Sequence, residues 1–128
     1  MEFEFPVFVL AKDCGDVRKY SSVHEMQCYF EKIDVENDEY EAWDANGMRL
    51  SLSIQTPLWL SVKSAGSQQP EELRIAISGF ARIQDVEADM SALSKNEFSA
   101  ALDQITNVLR LRRESGKRNW WKKFMSRF

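Results

Sequence analysis

The stretch EYEAWDANGMRLSLSIQ, residues 39–55, decides the fold of this chain because it predicts a tight β-hairpin. Asn46-Gly47 at its centre favours a two-residue type I′ turn, since both residues tolerate a positive φ. That turn pairs the strands in the register Ala45–Met48, Asp44–Arg49 and Trp43–Leu50. The second pair joins opposite charges and the third joins two apolar side chains, so both support the hairpin.

Alternation of apolar and polar residues extends the predicted sheet in both directions. The alternating apolar positions are, in chain order, Phe3, Phe5, Val7, Val9, Met48, Leu50, Leu52, Ile54, Leu58, Leu60 and Val62. A period of two is typical of strands with one buried face and one partly wet face. Pro6 places the first strand at a sheet edge or makes it begin after the proline, because proline has no N–H for the ladder. The turn-rich residues 12–16 and the following residues 17–21 predict a return strand, so we expect about five antiparallel strands.

Two helices are predicted on either side of the central strands. Ser22 and Glu25 have the spacing of a capping box and open a short helix that ends near residue 31. Residues 64–70 predict a loop, and Pro70 suits the first position of a helix that covers residues 71–83.

A last long helix completes the predicted fold. Ser94 and Glu97 form a second capping box, and the apolar spacing that follows predicts a helix over residues 95–113. The order ββαβββαα indicates an α+β fold, an antiparallel sheet covered on one face by helices, with a basic amphipathic helix at the C-terminus. We expect the helices at 71–83 and 95–113 to cover the sheet face that carries Leu50, Leu52 and Leu60.

Composition and length predict one domain with a distinct tail. The 128 residues are 44% hydrophobic and 29% charged, which is ordinary for a globular chain. We assign residues 1–114 to a single α+β domain and residues 115–128 to a basic aromatic tail. The start of the chain lacks the pattern of a signal peptide, and Cys14 and Cys28 fit free thiols, so we expect a cytoplasmic protein, with the inner face of a membrane as the alternative location.

Charge is segregated along the chain. From residue 110 onward there are eight Lys or Arg and one Glu, a net charge of +7, whereas the preceding residues carry nine bases and nineteen acids, a net charge of −10. In the tail, Gly116 predicts the end of the preceding helix and Asn119 the start of a new one. One face of that new helix carries the apolar residues Trp120, Trp121, Phe124, Met125 and Phe128. The cations Arg118, Lys122 and Arg127 lie on the other side, with Lys123 near the boundary.

A tail helix of this length needs something to dock on, because about nine residues are too few for a stable isolated helix in water. The first hypothesis is that its aromatic face packs on the chain's own body or on a second copy. The second is an anionic membrane surface, where Trp and Phe enter the interface and the cations meet the headgroups. The third is an external protein partner. We do not expect nucleic acid, because the acidic body repels a polyanion.

His24 and Cys28 have a spacing from which a nucleophile–base pair or half of a metal site can be built. Four residues apart on one predicted helix, they share a face. The chain has only one histidine and no CxxC motif, however. We therefore interpret Cys28 as a small apolar filler of the core and His24 as a partly exposed polar residue.

Residues 34–41, DVENDEYE, form an acidic patch that consists of Asp34, Glu36, Asp38, Glu39 and Glu41. Its first acids alternate as in a calcium loop, but the sixth position holds Glu39 where the loop needs glycine, and the twelfth holds Ala45 where it needs glutamate. We interpret the patch as a solvated approach to a strand. Such a patch can also dock a basic protein.

These observations predict a small, non-catalytic binding or adaptor domain. Phosphate-binding glycine loops, GxSxG and HExxH are absent from the sequence, so we expect no catalytic residue, metal, cofactor or small-molecule substrate. The first alternative is a peripheral membrane-associated protein held by the Trp/Lys-rich helix. The second is an acidic immunity or inhibitor-type protein that binds a basic partner, and the third is a small enzyme that uses His24 and Cys28.

Overall fold

The computed structural model describes residues 3–88, 90 and 95–125, with side chains for all of these except residues 95–96 and 117–125. The strands in this part of the chain are β1 (Val7–Ala11), β2 (Val17–Tyr20), β3 (Tyr40–Trp43), β4 (Met48–Ile54) and β5 (Leu60–Gln68). The helices are α1 (Val23–Tyr29), α2 (Lys32–Glu36), α3 (Pro70–Ile83) and α4 (Lys95–Met125). The α+β class, the antiparallel sheet of five strands and the C-terminal helix are confirmed. The short helix α2 is an addition to the predicted order.

The strands form one antiparallel sheet in the order β2-β1-β3-β4-β5. β1 is an inner strand that begins directly after Pro6, so the proline stays outside the ladder and the strand does not lie at an edge. The edges are β2 and β5. The predicted hairpin between residues 7 and 20 is confirmed, with its turn at residues 12–16.

Helices cover both faces of the sheet, as the consecutive burial of Val7, Phe8 and Val9 shows. The core beneath α3 and α4 includes Phe8, Val17, Trp43, Leu73, Ile77, Phe80, Phe98, Leu102 and Ile105. The core beneath α1 and α2 includes Val7, Val9, Tyr20, Met26, Phe30, Val35, Ala42, Leu50 and Leu60. The prediction that α3 and α4 cover the Leu50/Leu52/Leu60 face is therefore wrong, because these two helices pack on the opposite face.

A slip of one residue in the β3–β4 register explains this reversal. Trp43 lies opposite Arg49 and Ala42 opposite Leu50, whereas we predicted Trp43 opposite Leu50. Because side chains alternate between faces, a slip of one residue separates Trp43 and Leu50 onto different sides of the sheet. The Arg49 guanidinium lies 5.0 Å from the centre of the Trp43 ring, so a cation–π contact replaces the predicted Asp44–Arg49 ion pair.

We attribute the slip to Asp44, a residue that is 1% exposed and whose carboxylate organises the turn from inside. Oδ1 accepts hydrogen bonds from the N–H groups of Asn46 and Met48, each at 2.9 Å. Oδ2 accepts one from the N–H of Glu4 at 3.2 Å. The turn consequently holds three residues with Gly47 at φ +85°, which is the three-residue hairpin loop rather than the type I′ turn.

Two segment boundaries also differ from the prediction. Residues 64–68 belong to β5 rather than to a loop, because Gly66 at φ +81° allows an irregularity in the β4–β5 ladder and pairing then continues to Gln68. α1 ends at Tyr29, two residues before the predicted end. Its N-cap Ser22 accepts the Glu25 N–H at 3.1 Å as predicted, but the Glu25 carboxylate accepts from Ser21 instead of closing the capping box. Ser94 lies outside the described residues.

Replacing Asp44 with alanine removes the acceptor of three backbone N–H groups. Only the Met48 N–H is in a buried hydrogen bond, and an unsatisfied buried donor costs about 1–3 kcal/mol, so we expect the free energy of unfolding to fall by at least about 1–3 kcal/mol in urea denaturation. Asp13→Ala is the matched control, because Asp13 lies in an exposed turn, and it should change stability by less than about 0.5 kcal/mol. Equal losses for the two variants would contradict the role assigned to Asp44.

Gly47 combines a positive φ with close contact to the start of α3. A Cβ at this position would lie 2.6 Å from the Cα of Pro70. We expect Gly47→Ala to destabilise the protein by more than the roughly 1–3 kcal/mol of backbone strain alone. Gly66→Ala measures the cost of the backbone strain by itself, because Gly66 has φ +81° and a Cβ added there would have no atom within 4 Å. Gly79→Ala in the interior of α3 should instead stabilise by up to about 1 kcal/mol. Equal losses at 47 and 66 would show that the contact with Pro70 does not matter.

Candidate functional site

α4 packs on the sheet over its first half only. Its buried residues Phe98, Ala101, Leu102 and Ile105, followed by the half-buried Val108 and Leu109, have the spacing of a helix on a sheet. From residue 110 to residue 116 every side chain is exposed. Burial of α4 side chains on the sheet therefore ends at Leu109, although Arg112 and Arg113 still lie against the body.

Arg112 ties α4 to the end of α3 near the point where α4 leaves. Its guanidinium donates hydrogen bonds of 2.7 Å to the carbonyl oxygens of Gln84 and Asp85. These carbonyls stand at the C-terminus of α3, where the negative end of the helix dipole favours a cation. The two hydrogen bonds fix the direction in which α4 departs.

The prediction that Gly116 ends a helix is wrong, because α4 runs without interruption from Lys95 to Met125. Gly116 is not among the glycines with positive φ, so it does not adopt the left-handed conformation of a C-cap. Asn119 accordingly lies within a helix rather than at the start of one. The 31 residues of α4 span roughly 46 Å at about 1.5 Å per residue.

The tail residues selected from the sequence lie on this helix as far as Met125. They are Arg118, Trp120, Trp121, Lys122, Lys123, Phe124 and Met125. Their backbone is described but their side chains are not, and Arg127 and Phe128 lie outside the described residues. The helical state of residues 119–125 agrees with the prediction. The use of their aromatic face for docking stays a prediction.

His24 and Cys28 come together on the exposed side of α1, with 3.9 Å between the Cys28 Sγ and the His24 Nε2. Cys28 is exposed and does not fill the core, because Met26 and Phe30 take the buried positions of this segment. A nucleophile–base pair also needs a group that orients the histidine. In the described part of the chain, no carboxylate or carbonyl binds the other ring nitrogen of His24.

Cys14 is also exposed, and its environment disfavours the thiolate. A backbone hydrogen bond from Asp16 lowers the pKa of the Cys14 thiol, but desolvation and the carboxylates of Asp13 and Asp16 raise this pKa by more. The thiolate is the nucleophilic form of cysteine, so the raised pKa reduces the reactivity of Cys14 at neutral pH.

The acidic patch does not form a simple approach to a strand. Residues 32–36 form α2, and Asp38 follows with φ +56°. The Lys12 Nζ lies 3.2 Å from the Asp38 carboxylate and 3.9 Å from that of Glu41, which also lies 3.7 Å from the Arg49 guanidinium. Two cations therefore compensate the part of the patch next to β3, while Glu36 stays exposed on α2.

Asp34 and Glu39 line a cleft of about 260 Å³ whose walls also include Arg18 and four aromatic side chains, Tyr20, Tyr29, Phe30 and Tyr40. The Phe30 ring stacks on the Tyr40 ring with 4.4 Å between centroids. The hydroxyl of Tyr40 donates a hydrogen bond of 3.4 Å to Asp34. Burial, and next the charge of Asp34, raise the pKa of Tyr40 to about 12.

A larger groove, of about 560 Å³, lies along the edge strand β2 and was missed by the sequence analysis. Besides β2, its walls include Tyr29 of α1 and Leu102, Leu109 and Arg113 of α4. The sequence marks VRKY, residues 17–20, as a short strand. It gives no signal for the groove, because the walls come from segments that are far apart in the chain.

Other classes of site find no support in the described structure. No three or more His, Cys, Asp or Glu side chains among the described residues are placed to hold a metal ion. Nor does any helix within the described ranges combine the length and apolar composition needed to cross a bilayer. Comparison of the chain with known protein families, curated proteins and solved structures finds no match.

The raised pKa of Tyr40 predicts a loss of stability at alkaline pH. The phenol titrates near pH 10 when unperturbed and near pH 12 in the folded protein, so its contribution is fully present below pH 10 and is lost as the pH rises to 12. We expect Tyr40→Phe to lose stability less steeply than the natural sequence over this range. We also expect Asp34→Asn to lower the pKa of Tyr40, measured by tyrosinate absorbance. Glu36→Gln is the control, and an equal shift in both variants would contradict the contact.

Proposed function

We propose that this protein is a non-catalytic binding domain that docks on a second copy of itself through the end of α4. The observation that carries the proposal is the continuity of α4 through Gly116, with residues 110–116 exposed. Docking of the tail on its own body would need the chain to reverse direction before Trp120. The helix between Leu109 and Met125 has no such reversal, and it extends about 24 Å at about 1.5 Å per residue.

The angular spacing along α4 supports the same conclusion. On a helix of 3.6 residues per turn, position 120 falls at the same angle as Leu102 of the row that packs on the sheet, whereas positions 121, 124 and 125 fall roughly a quarter to a half turn away from that row. Most of the tail's apolar positions are therefore not a simple continuation of the row from Phe98 to Leu109. An apolar face of this kind gains stability by docking, and a separate molecule can supply the surface.

Charge favours a second copy as that molecule. The body of one copy, at −10, attracts the tail of the other, at +7, and a two-fold arrangement satisfies both tails at once. The exposed acidic residues of α2, such as Glu36, are candidates for this contact. In such a dimer the tail of each copy would contact the body of the other, so the same interaction would form twice, as is usual in a homodimer.

Membrane binding is a second candidate, favoured by the distance between tail and body. The helix carries residue 125 roughly 20 Å beyond Arg112, which is hydrogen-bonded to the end of α3, while the screening length in physiological salt is about 8 Å. The acidic body therefore repels an anionic surface only weakly when the tail reaches it. Trp and Phe interleaved with Lys and Arg are typical of helices that lie in a membrane interface.

Deletion of residues 117–128 tests the proposal. We expect the natural chain to have the mass of a dimer by light scattering, with a Tm that rises with concentration, and the truncated chain to be a monomer. Trp120→Ala combined with Trp121→Ala should reproduce the truncation. Leu58→Ala, which removes an apolar side chain that is 69% exposed on the body, is the matched control and should leave the mass unchanged.

Two other outcomes would overturn docking on a second copy. A monomeric natural chain whose Tm falls on truncation would place the tail on its own body. A monomeric natural chain that sediments with phosphatidylglycerol vesicles, and loses this binding on truncation, would identify a membrane surface. In that case Lys122→Ala with Lys123→Ala should weaken sedimentation mainly at low salt.

A further inference from the structure

We propose that the cleft of about 260 Å³ between β2, α2 and β3 binds an alkylammonium group, which is a protonated primary amine on an aliphatic stem. A lysine side chain of a polypeptide and a small free amine both present this group. The walls of the cleft come from residues 9–40, so the proposal does not depend on the tail of α4 or on dimer formation.

The cleft carries a negative charge that its own residues do not neutralise. Its lining includes four carboxylates and one base, which are Asp13, Asp16, Asp34, Glu39 and Arg18. Within the described part of the chain, none of these five side chains forms an ion pair. Four acids against one base leave a net charge of −3, which attracts a cation.

The hydroxyl of Tyr20 is a second and independent sign of a ligand. Tyr20 is 6% exposed and lines the cleft, yet its hydroxyl has no hydrogen-bond partner among the described residues. The hydroxyl is not sealed in the core, because in this part of the chain the only fully enclosed side-chain nitrogen or oxygen without a partner is Nε1 of Trp43. The Tyr20 oxygen is therefore open to an N–H donor that enters the cleft.

Aromatic rings form the apolar part of the cleft. Tyr20 meets Phe30 edge to face with 5.2 Å between centroids, and Phe30 stacks on Tyr40 at 4.4 Å. Tyr29 lies 6.1 Å from Tyr20 and is 64% exposed. Aromatic rings attract cations and also cover the methylene groups of an amphipathic side chain. Rings beside carboxylates therefore suit a charged head on an apolar stem.

Two residues of the cleft titrate as they would in a negative potential. Burial, and next the charge of Asp34, raise the pKa of Tyr40. A backbone hydrogen bond from Asp16 lowers the pKa of Cys14, but desolvation and the carboxylates of Asp13 and Asp16 raise it by more. Tyr40 and Cys14 consequently stay neutral at pH 7, and the carboxylates supply the negative charge.

The arrangement of the acids and the size of the cleft select the kind of cation. No three or more His, Cys, Asp or Glu side chains in the described ranges are placed to hold a metal ion, so the acids do not converge on one point. A primary ammonium offers three N–H donors, whereas a quaternary ammonium offers none to Tyr20 or Asp34. The stacked rings of Phe30 and Tyr40 leave no gap between them for a planar guanidinium. A volume below the roughly 300–1,000 Å³ of drug-sized sites suits a stem of a few carbons.

The test titrates the labelled full chain with n-pentylamine and with Nα-acetyl-lysine-N-methylamide, followed by NMR at low salt. We expect chemical-shift changes at residues 13–20 and 34–40 that saturate with a Kd of about 1 mM, as for a ligand of few atoms. Pentan-1-ol and the lysine compound acetylated on its side-chain nitrogen are the neutral controls and should not bind. Tighter binding of the lysine compound would assign the group to a polypeptide, and tighter binding of pentylamine would assign it to a free amine.

Substitutions in the protein should change this binding in opposite directions. Glu39→Gln should weaken it about two- to fivefold, as expected for one exposed charge pair, and Arg18→Gln should strengthen it by a similar factor. Glu36→Gln removes the same charge on α2 but outside the cleft, so it is the matched control. Tyr20→Phe should weaken binding without lowering the Tm, because the hydroxyl that it removes has no partner among the described residues.

Three results would overturn the proposal. The first is that neither amine gives a saturable response at residues 13–20 and 34–40 up to about 20 mM, well above the expected Kd. The second is that the neutral controls bind as tightly as the amines. The third is that Glu36→Gln weakens binding as much as Glu39→Gln, or that Arg18→Gln fails to strengthen it.

Discussion

The buried carboxylate of Asp44 is the interaction on which the rest of the fold depends. It joins the N-terminal segment, the β3–β4 turn and the start of β4 through three backbone N–H groups. The turn that it shapes brings Gly47 against Pro70, the first residue of α3. α3 in turn forms the core in which α4 lies, so the course of the C-terminal helix follows from the geometry of one turn.

The sheet divides the protein into two cores of different kinds. α3 and α4 are held over one face mainly by aliphatic and phenylalanine side chains, whereas the face beneath α1 and α2 includes a chain of aromatic contacts through Tyr20, Phe30 and Tyr40. The surface proposed for docking begins where a core ends, on the helix beyond Leu109. Binding at such a position leaves the packed interior undisturbed.

The sequence predicted the secondary-structure elements well where a local rule was sufficient, and it failed where a tertiary contact determined the structure. Alternation located the strands, and Pro70 located the start of α3 to the residue. The register of the hairpin could not be predicted from Asn46-Gly47, because a buried side chain at Asp44 outweighed the turn preference. The helix end predicted at Gly116 was wrong for a different reason, since glycine permits a helix to end without requiring it. The β2 groove has no local signal, because distant segments form it.

The continuity of α4 also gives the tail an angular register with the body. A flexible linker would let the tail meet its target in any orientation, and its length would set only an effective concentration. A continuous helix instead fixes both the distance and the rotation, since each residue adds about 1.5 Å along the helix axis and about 100° of rotation around it. The number of residues between Leu109 and the tail is therefore as much a part of the binding surface as their identity. One residue more or less would aim the same tail in another direction.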